Sequence, residues 1–190
     1  MRKIVLASNN AGKLAEFQSL FDGLKLEVVA QGQLGVTEAE EPFGTFVENA
    51  LAKARHASAA TGLPAVADDS GLCVQALDGA PGVYSARYAA MNEAGQGDAD
   101  NNAYLLQRLQ GIENRRACFV SVLVYVNSPD DPRPIIAEGL WWGEVADAAK
   151  GNNGFGYDPL FFVPSLDCTA AQLSPEQKNH FSHRAQALKI

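Results

Sequence analysis

The chain has 190 residues, 47% of them hydrophobic and 19% charged, with a net charge of -7. That length suits a single domain, 1–190, able to bury roughly 70% of the surface its unfolded form exposes. The negative balance repels a nucleic-acid polymer, and no run approaches the roughly 18 apolar residues of a membrane span, so neither is an expected partner. The three cysteines, Cys73, Cys118 and Cys168, form no CxxC pair, which argues against zinc and disulfides. The opening residues carry a basic pair but too short an apolar run for a signal peptide, so the expected compartment is the cytoplasm.

Lys3 to Ala7 reads as a strand, Ser8 to Gly12 as a polar turn, and Lys13 to Phe21 as a helix that buries Leu14, Phe17, Leu20 and Phe21. A helix start offers unpaired amides and partial positive charge, the makings of a phosphate site, and Lys13 opposes the macrodipole there unless an anion is bound. An Asn or Ser cap with a solvated Lys13 explains the same residues. A Walker A loop does not: only Gly12-Lys13 matches, and Leu14 replaces the hydroxyl. Leu26 to Ala30 reads as a second strand, followed by an acidic loop with Glu38, Glu40 and Glu41. Thr45-Phe46-Val47-Glu48 is a capping box, and the helix it opens carries an apolar stripe of Phe46, Val47, Ala50, Leu51, Ala54 and Ala57 until Gly62 and Pro64 stop it. Thr45, Asn49, Lys53 and His56 share a neighbouring face, which is ordinarily solvated.

Leu63 to Ala67 reads as a buried strand expected to leave the sheet at Asp68-Asp69-Ser70-Gly71. Ligands of open α/β sheets bind outside the carboxyl ends of strands, so this pair of carboxylates is a candidate site; Asp-Asp-Ser-Gly is also ordinary turn chemistry. After Leu72 to Leu77 the chain turns at Asp78-Gly79 and again at Pro81-Gly82. Arg87 suits a phosphate or a structural acid. A polar loop leads into a short helix with Ala103, Leu105, Leu106 and Leu109, which suggests no chemistry. Ala117 to Val126 and Pro134 to Val145 read as a long antiparallel hairpin, making the sheet mixed, with Trp141 and Trp142 either at an oligomer surface or divided between core and solvent. In Gly151 to Pro159, glycines free the backbone while Phe155 and Tyr157 offer faces on which a base stacks; a flexible loop is the plainer account. Ser174-Pro175-Glu176-Gln177 is a second capping box, and Ser182 is expected to cap a last helix opening at His183-Arg184. Lys178, His183 and Arg184 suit the acceptor atoms of a purine edge, or simply solvent.

Ser8-Asn9-Asn10-Ala11-Gly12-Lys13, Glu40-Glu41, Thr45-Phe46-Val47-Glu48-Asn49-Ala50, Ala67-Asp68-Asp69-Ser70-Gly71-Leu72, the stretch from Gly79 to Tyr88, Phe155-Gly156-Tyr157-Asp158-Pro159 and Ser182-His183-Arg184 follow one another in family order. The chain resembles the inosine triphosphate pyrophosphatases of the Ham1/RdgB type from about residue 3 onward. Ser8-Asn9-Asn10 stands where that family commonly shows Thr-Gly-Asn, keeping the hydroxyl and Asn10. The resemblance implies an α/β fold with an elongated mixed sheet and flanking helices, two lobes around a central nucleotide cleft, and a homodimer. It implies Mg²⁺-dependent hydrolysis of ITP, dITP and XTP to monophosphate and pyrophosphate. By the same resemblance Ser8, Asn10 and Lys13 hold the triphosphate with Lys53 nearby, Asn9, Ala11 and Gly12 belong to the same substrate-binding loop, and Ser70 touches substrate. Glu41, with Glu40 adjoining as the alternative, and Asp69 hold the metal, and Asp69 is the catalytic base. Phe155, Gly156, Tyr157, Asp158, Lys178, His183 and Arg184 surround the base, while Asp68 is a support for Asp69. A nucleotide-binding module without turnover and a phosphohydrolase of another nucleotide are the alternatives.

Overall fold

The computed structural model describes residues 2–21 and 26–190. Strands β1 (Arg2–Leu6), β2 (Leu26–Ala30), β3 (Ala65–Val74), β4 (Arg116–Val126), β5 (Ile135–Val145), β6 (Phe161–Val163) and β7 (Cys168–Thr169) form a seven-stranded sheet in the order β2-β1-β3-β4-β5-β6-β7. β1 runs parallel to β2 and to β3, whereas β6 is antiparallel to β5 and to β7, so the α/β sheet is mixed. The helices are α1 (Ala11–Phe21), α2 (Phe46–Thr61), α3 (Gly97–Arg108), α4 (Pro175–Phe181) and α5 (His183–Ala187).

The helix ends follow local chemistry. α1 begins two residues ahead of the expected Lys13 because Asn10 caps it, its Oδ1 accepting from the Lys13 amide at 2.9 Å. Thr45 caps α2, and Gly62, at φ 68°, ends it in the left-handed conformation a glycine adopts without strain. Ser174 and Gln177 form a reciprocal capping box at α4. α3 starts at Gly97, well before the expected Ala103, with Asp98 and Asp100 in a first turn that favours negative charge.

The chain divides into two compact units. The first comprises Met1–Asp69, Ser121–Gly139 and Arg184–Ile190. Its core joins Ile4, Leu6, Val66 and Leu123 from the strands to Phe17 and Ala187 from α1 and α5. The second comprises Ser70–Val120 and Leu140–His183, with a core that includes Leu72, Val74, Leu105, Leu109, Trp141, Tyr157 and Phe161. Trp141 is 5% exposed and Trp142 57%, the division that strand alternation predicts.

One expectation fails. β3 does not leave the sheet at Asp68; it continues to Val74. Asp68 and Asp69 are both buried, and their side chains bind partners far away in sequence instead of capping a local turn. Gly71 is present for closeness, not for turning. A Cβ there would collide with the Gly82 carbonyl and the Ser85 hydroxyl, and the neighbouring Leu72 amide donates to that hydroxyl at 2.9 Å.

Candidate active site

β1 has β2 on one side and β3 on the other, so successive crossovers depart in opposite directions and leave a switch point at its carboxyl end. Val5 aligns with Ala65 and Leu6 with Val66, and the Ala7 amide donates to the Val66 carbonyl at 2.8 Å. The segment Ser8 to Lys13 therefore departs the sheet beside Asp68. Ser8 is buried and its hydroxyl accepts from the Asn10 amide at 3.2 Å, while Asn9, Asn10 and Ala11 are exposed and Gly12 half-buried. Lys13 turns back, its Nζ lying 2.8 Å from Asp68 Oδ2.

Asp68 is a hub. Besides Lys13 it takes Arg184, whose Nε and Nη2 each lie 3.4 Å from Oδ2, and the Ser121 hydroxyl at 2.6 Å from Oδ1. Arg184 Nη1 continues to Glu16 at 2.6 Å. Burial opposes the charge on Asp68, but Lys13 and Arg184 outweigh it and hold the carboxyl far below the usual carboxylate range. Burial lowers the pKa of Lys13, with Asp68 acting against that shift. Of the expected cationic trio, Arg184 thus bonds Asp68 and Glu16, with His183 adjoining it at the start of α5.

Asp69 meets a different helix. Its Oδ1 lies 2.8 Å from Lys53 Nζ and its Oδ2 accepts from Asn49 Nδ2 at 3.4 Å, both from α2. The same Lys53 ammonium reaches Glu41 Oε1 at 2.5 Å, whereas Glu40 is exposed. Asn49 also bonds the Phe43 amide and carbonyl, each at 3.1 Å, so one buried amide ties the acidic loop to Asp69. Burial pushes the Asp69 carboxyl up, with Lys53 acting against the shift. Burial likewise works against the Lys53 ammonium, but Asp69 and Glu41 outweigh it and raise its pKa. The expectation of a solvated α2 face fails at Asn49 and Lys53. The signal was present in their i, i+4 spacing; the partners that bury them were not visible locally.

The second unit holds the aromatic loop. Lys178 and Asp158 are both buried and pair at 2.5 Å, and Asp158 Oδ2 also accepts from the Phe155 amide at 3.0 Å. Lys178 Nζ stands 5.0 Å from the Phe155 ring centroid, a cation–π arrangement. Tyr157 differs from the expectation of an offered face: it is 4% exposed, lies in the core, and donates its hydroxyl to the Ser85 carbonyl at 2.8 Å. His183 is buried against Phe119, with ring centroids 4.9 Å apart and an interplanar angle of 14°. Gly156 is held by two α3 residues that the sequence did not single out, Asp98 and Asn102. Ser70 is half-buried in β3, and Arg87 stacks over the Tyr84 ring at 5.5 Å.

A family model described as the Ham1 family matches residues 4–190. The chain belongs to the Ham1 family. Among Ham1 relatives, the dITP/XTP pyrophosphatase of Burkholderia pseudomallei is 64% identical over 187 residues, which cover 98% of this chain and 90% of its own. That of Bordetella pertussis is 62% identical over 188 residues, covering 99% of this chain and 88% of its own. The structure of a HAM1 protein from Coxiella burnetii, 49% identical, matches with a TM-score of 0.91 over 100% of this chain and 95% of its own. A nucleoside-triphosphatase / dITP/XTP pyrophosphatase from Mycobacterium abscessus matches at 44% identity and a TM-score of 0.76, over 98% and 97% of the two chains. The Ham1 fold thus accounts for the mixed sheet across the whole chain.

Proposed function

We propose that this Ham1 protein is a nucleoside triphosphate pyrophosphatase that converts dITP, ITP and XTP to the monophosphate and pyrophosphate, removing non-canonical purines from the nucleotide pool. The observation that carries the reading is Asp69: a buried carboxylate fixed at both oxygens by Lys53 and Asn49, with Glu41 on the same ammonium. Similarity extending over residues 4–190 supports treating the chain as one functional domain.

In the proposed reaction water attacks the α-phosphorus, the bond from that phosphorus to the bridging oxygen breaks, and pyrophosphate leaves while Asp69 accepts the proton from water. An ordinary aspartate, with a pKa near 3.9, does not deprotonate bulk water near 15.7 unaided. Burial brings Asp69 closer to the range in which a general base works, and Lys53 and Asn49 hold it in one orientation. Lys13 and Lys53 offset phosphate charge, and the α1 start with Ser8, Asn9, Asn10, Ala11 and Gly12 lies where the phosphates are expected.

The donor set fits Mg²⁺. No cluster of three metal-ligating side chains occurs among the described residues, and Glu41 and Asp69 share one ammonium. Two hard carboxylates suit a cation that completes its shell with phosphate oxygens and water, and suit zinc poorly. When bound there, Mg²⁺ supplies charge neutralisation on the phosphates and acidification of water.

Base recognition falls to Phe155, Gly156, Asp158, Lys178 and His183 of the second unit. Donors there favour the O6 of hypoxanthine and xanthine and are left unpaired by the amino group of adenine. The bonding of Arg184 to Asp68 and Glu16 supports a role in holding Asp68. A cytoplasmic homodimer completes the proposal. The test is incubation with ITP, XTP, dITP, ATP and GTP plus Mg²⁺, with pyrophosphate assayed separately from orthophosphate. Pyrophosphate from ITP and little from ATP is expected; orthophosphate, or no product, overturns the reading.

A further inference from the structure

We infer that Asp98 and Asn102 are positioning residues that set nucleotide affinity by clamping Gly156, an inference that rests on the base-side assignment of the Phe155 loop above. The two residues are four apart on α3, so they project from one face of the helix. Asp98 Oδ2 accepts from the Gly156 amide at 2.7 Å, a charge-assisted bond, and Asn102 Nδ2 donates to the Gly156 carbonyl at 2.8 Å. Asn102 Nδ2 donates as well to the Asp98 carbonyl at 2.7 Å, which fixes the orientation of its amide. Both main-chain groups of one loop residue are therefore held from one helix face.

The loop needs such a hold. Gly154 and Gly156 sit at φ 74° and 61°, and a glycine backbone has little conformational preference of its own. A cavity of about 570 Å³ lies against the loop, lined by Asp98, Asn102, Ala103 and Leu106 of α3 and by Gly154 and Phe155, among others. The two bonds to Gly156 tie the loop to α3, while the Asp158 carboxylate holds the Phe155 amide from within the loop. Phe155 directly precedes the clamped residue, and its ring is the one that Lys178 faces at 5.0 Å. Releasing Gly156 leaves Phe155 held through its amide to Asp158 alone, which loosens the ring over Lys178 and weakens nucleotide binding without touching Asp69.

The full chain and its Asp98→Ala, Asp98→Asn, Asn102→Ala and Asp98→Ala/Asn102→Ala variants test this. Steady-state kinetics with ITP give KM and kcat, calorimetry gives the affinity for inosine monophosphate, and thermal unfolding checks the fold. Asp98→Ala is expected to raise KM and weaken inosine monophosphate binding about fivefold, with kcat changed less than twofold. Asp98→Asn, which keeps an acceptor oxygen, recovers most of the affinity, and the double variant loses less than the product of the two single losses because both act on one residue. Unchanged KM and affinity in Asp98→Ala, or an Asn variant no better than the Ala variant, overturns the clamp. Wild-type protein that binds inosine monophosphate but releases no pyrophosphate defeats the proposed reaction alone, and the clamp is then decided by the affinities.

Discussion

Asp68→Asn tests how the first unit is held together. The substitution keeps the size of the side chain and removes a negative charge from a carboxylate that is 1% exposed. Lys13 at 2.8 Å and Arg184 at 3.4 Å then face each other across a neutral amide, with Arg184 itself 3% exposed. Removing one partner of a buried ion pair costs about 3–5 kcal/mol. For a chain of this length each kcal/mol shifts the unfolding midpoint by about 2–4 °C, so the variant is expected to unfold roughly 6–20 °C lower. Because the folded carboxyl is held below its ordinary value of 3.8, the contribution is complete above that pH and is lost as pH falls toward the depressed folded value. The difference between wild type and variant should narrow in acid accordingly. Thermal unfolding by circular dichroism from pH 7 downward measures both effects. A loss under about 2 °C at pH 7, or a gap that widens in acid, refutes the assignment of Asp68 as the central counter-ion.

Asp69→Asn should abolish pyrophosphate release while calorimetry still detects nucleotide binding; near-normal turnover would remove Asp69 from the reaction. Because burial raises the Asp69 carboxyl, its titration in the metal-free protein, followed by NMR, should have its midpoint above the ordinary 3.8, and replacing Lys53 with Met should move that midpoint to still higher pH. A midpoint at or below 3.8, or a shift in the opposite direction, contradicts this. Gly71→Ala places a methyl group against the Gly82 carbonyl and the Ser85 hydroxyl, which should cost about 1–3 kcal/mol in urea unfolding. Wild-type stability in that variant would show that the contact relaxes freely.

What could be read from the sequence was mostly what is decided locally. The Thr45 and Ser174 caps, the Gly62 stop and the Trp141/Trp142 alternation depend on near neighbours, and all are found as expected. Asp-Asp-Ser-Gly has the composition of a turn, whereas the partners that keep it in a strand come from Lys13, Lys53, Ser121 and Arg184, up to 116 positions away. For the same reason local spacing alone leaves Asn49 and Lys53 on a face that is ordinarily solvated, and only the family resemblance points to Lys53. Tyr157 looked like an offered ring because aromatic composition does not reveal which side of a loop is packed. The two α3 residues that hold Gly156 carry no local signal, because a carboxylate and an amide at a helix start are explained well enough by the helix itself.

The two aspartates of β3 are chemically identical neighbours with opposite assignments, and only parity separates them. Val66 and Asp68 fall on the side packed by α1 and α5, whereas Asp69 falls on the side of α2. Counting along the strand therefore does what residue identity cannot: it gives one carboxylate to Lys13 and Arg184 and the other to Lys53 and Asn49, the place of the proposed base. Loss of Ala67 alone would slide Asp69 into the counter-ion place, but it would also carry Asp68 into the buried position of Ala67 and Leu72 into the position where Gly71 must stay bare. Such a chain has carboxylates and core side chains on the wrong faces and should fail to fold, so the parity that separates the two aspartates is held in place by the packing of the whole strand.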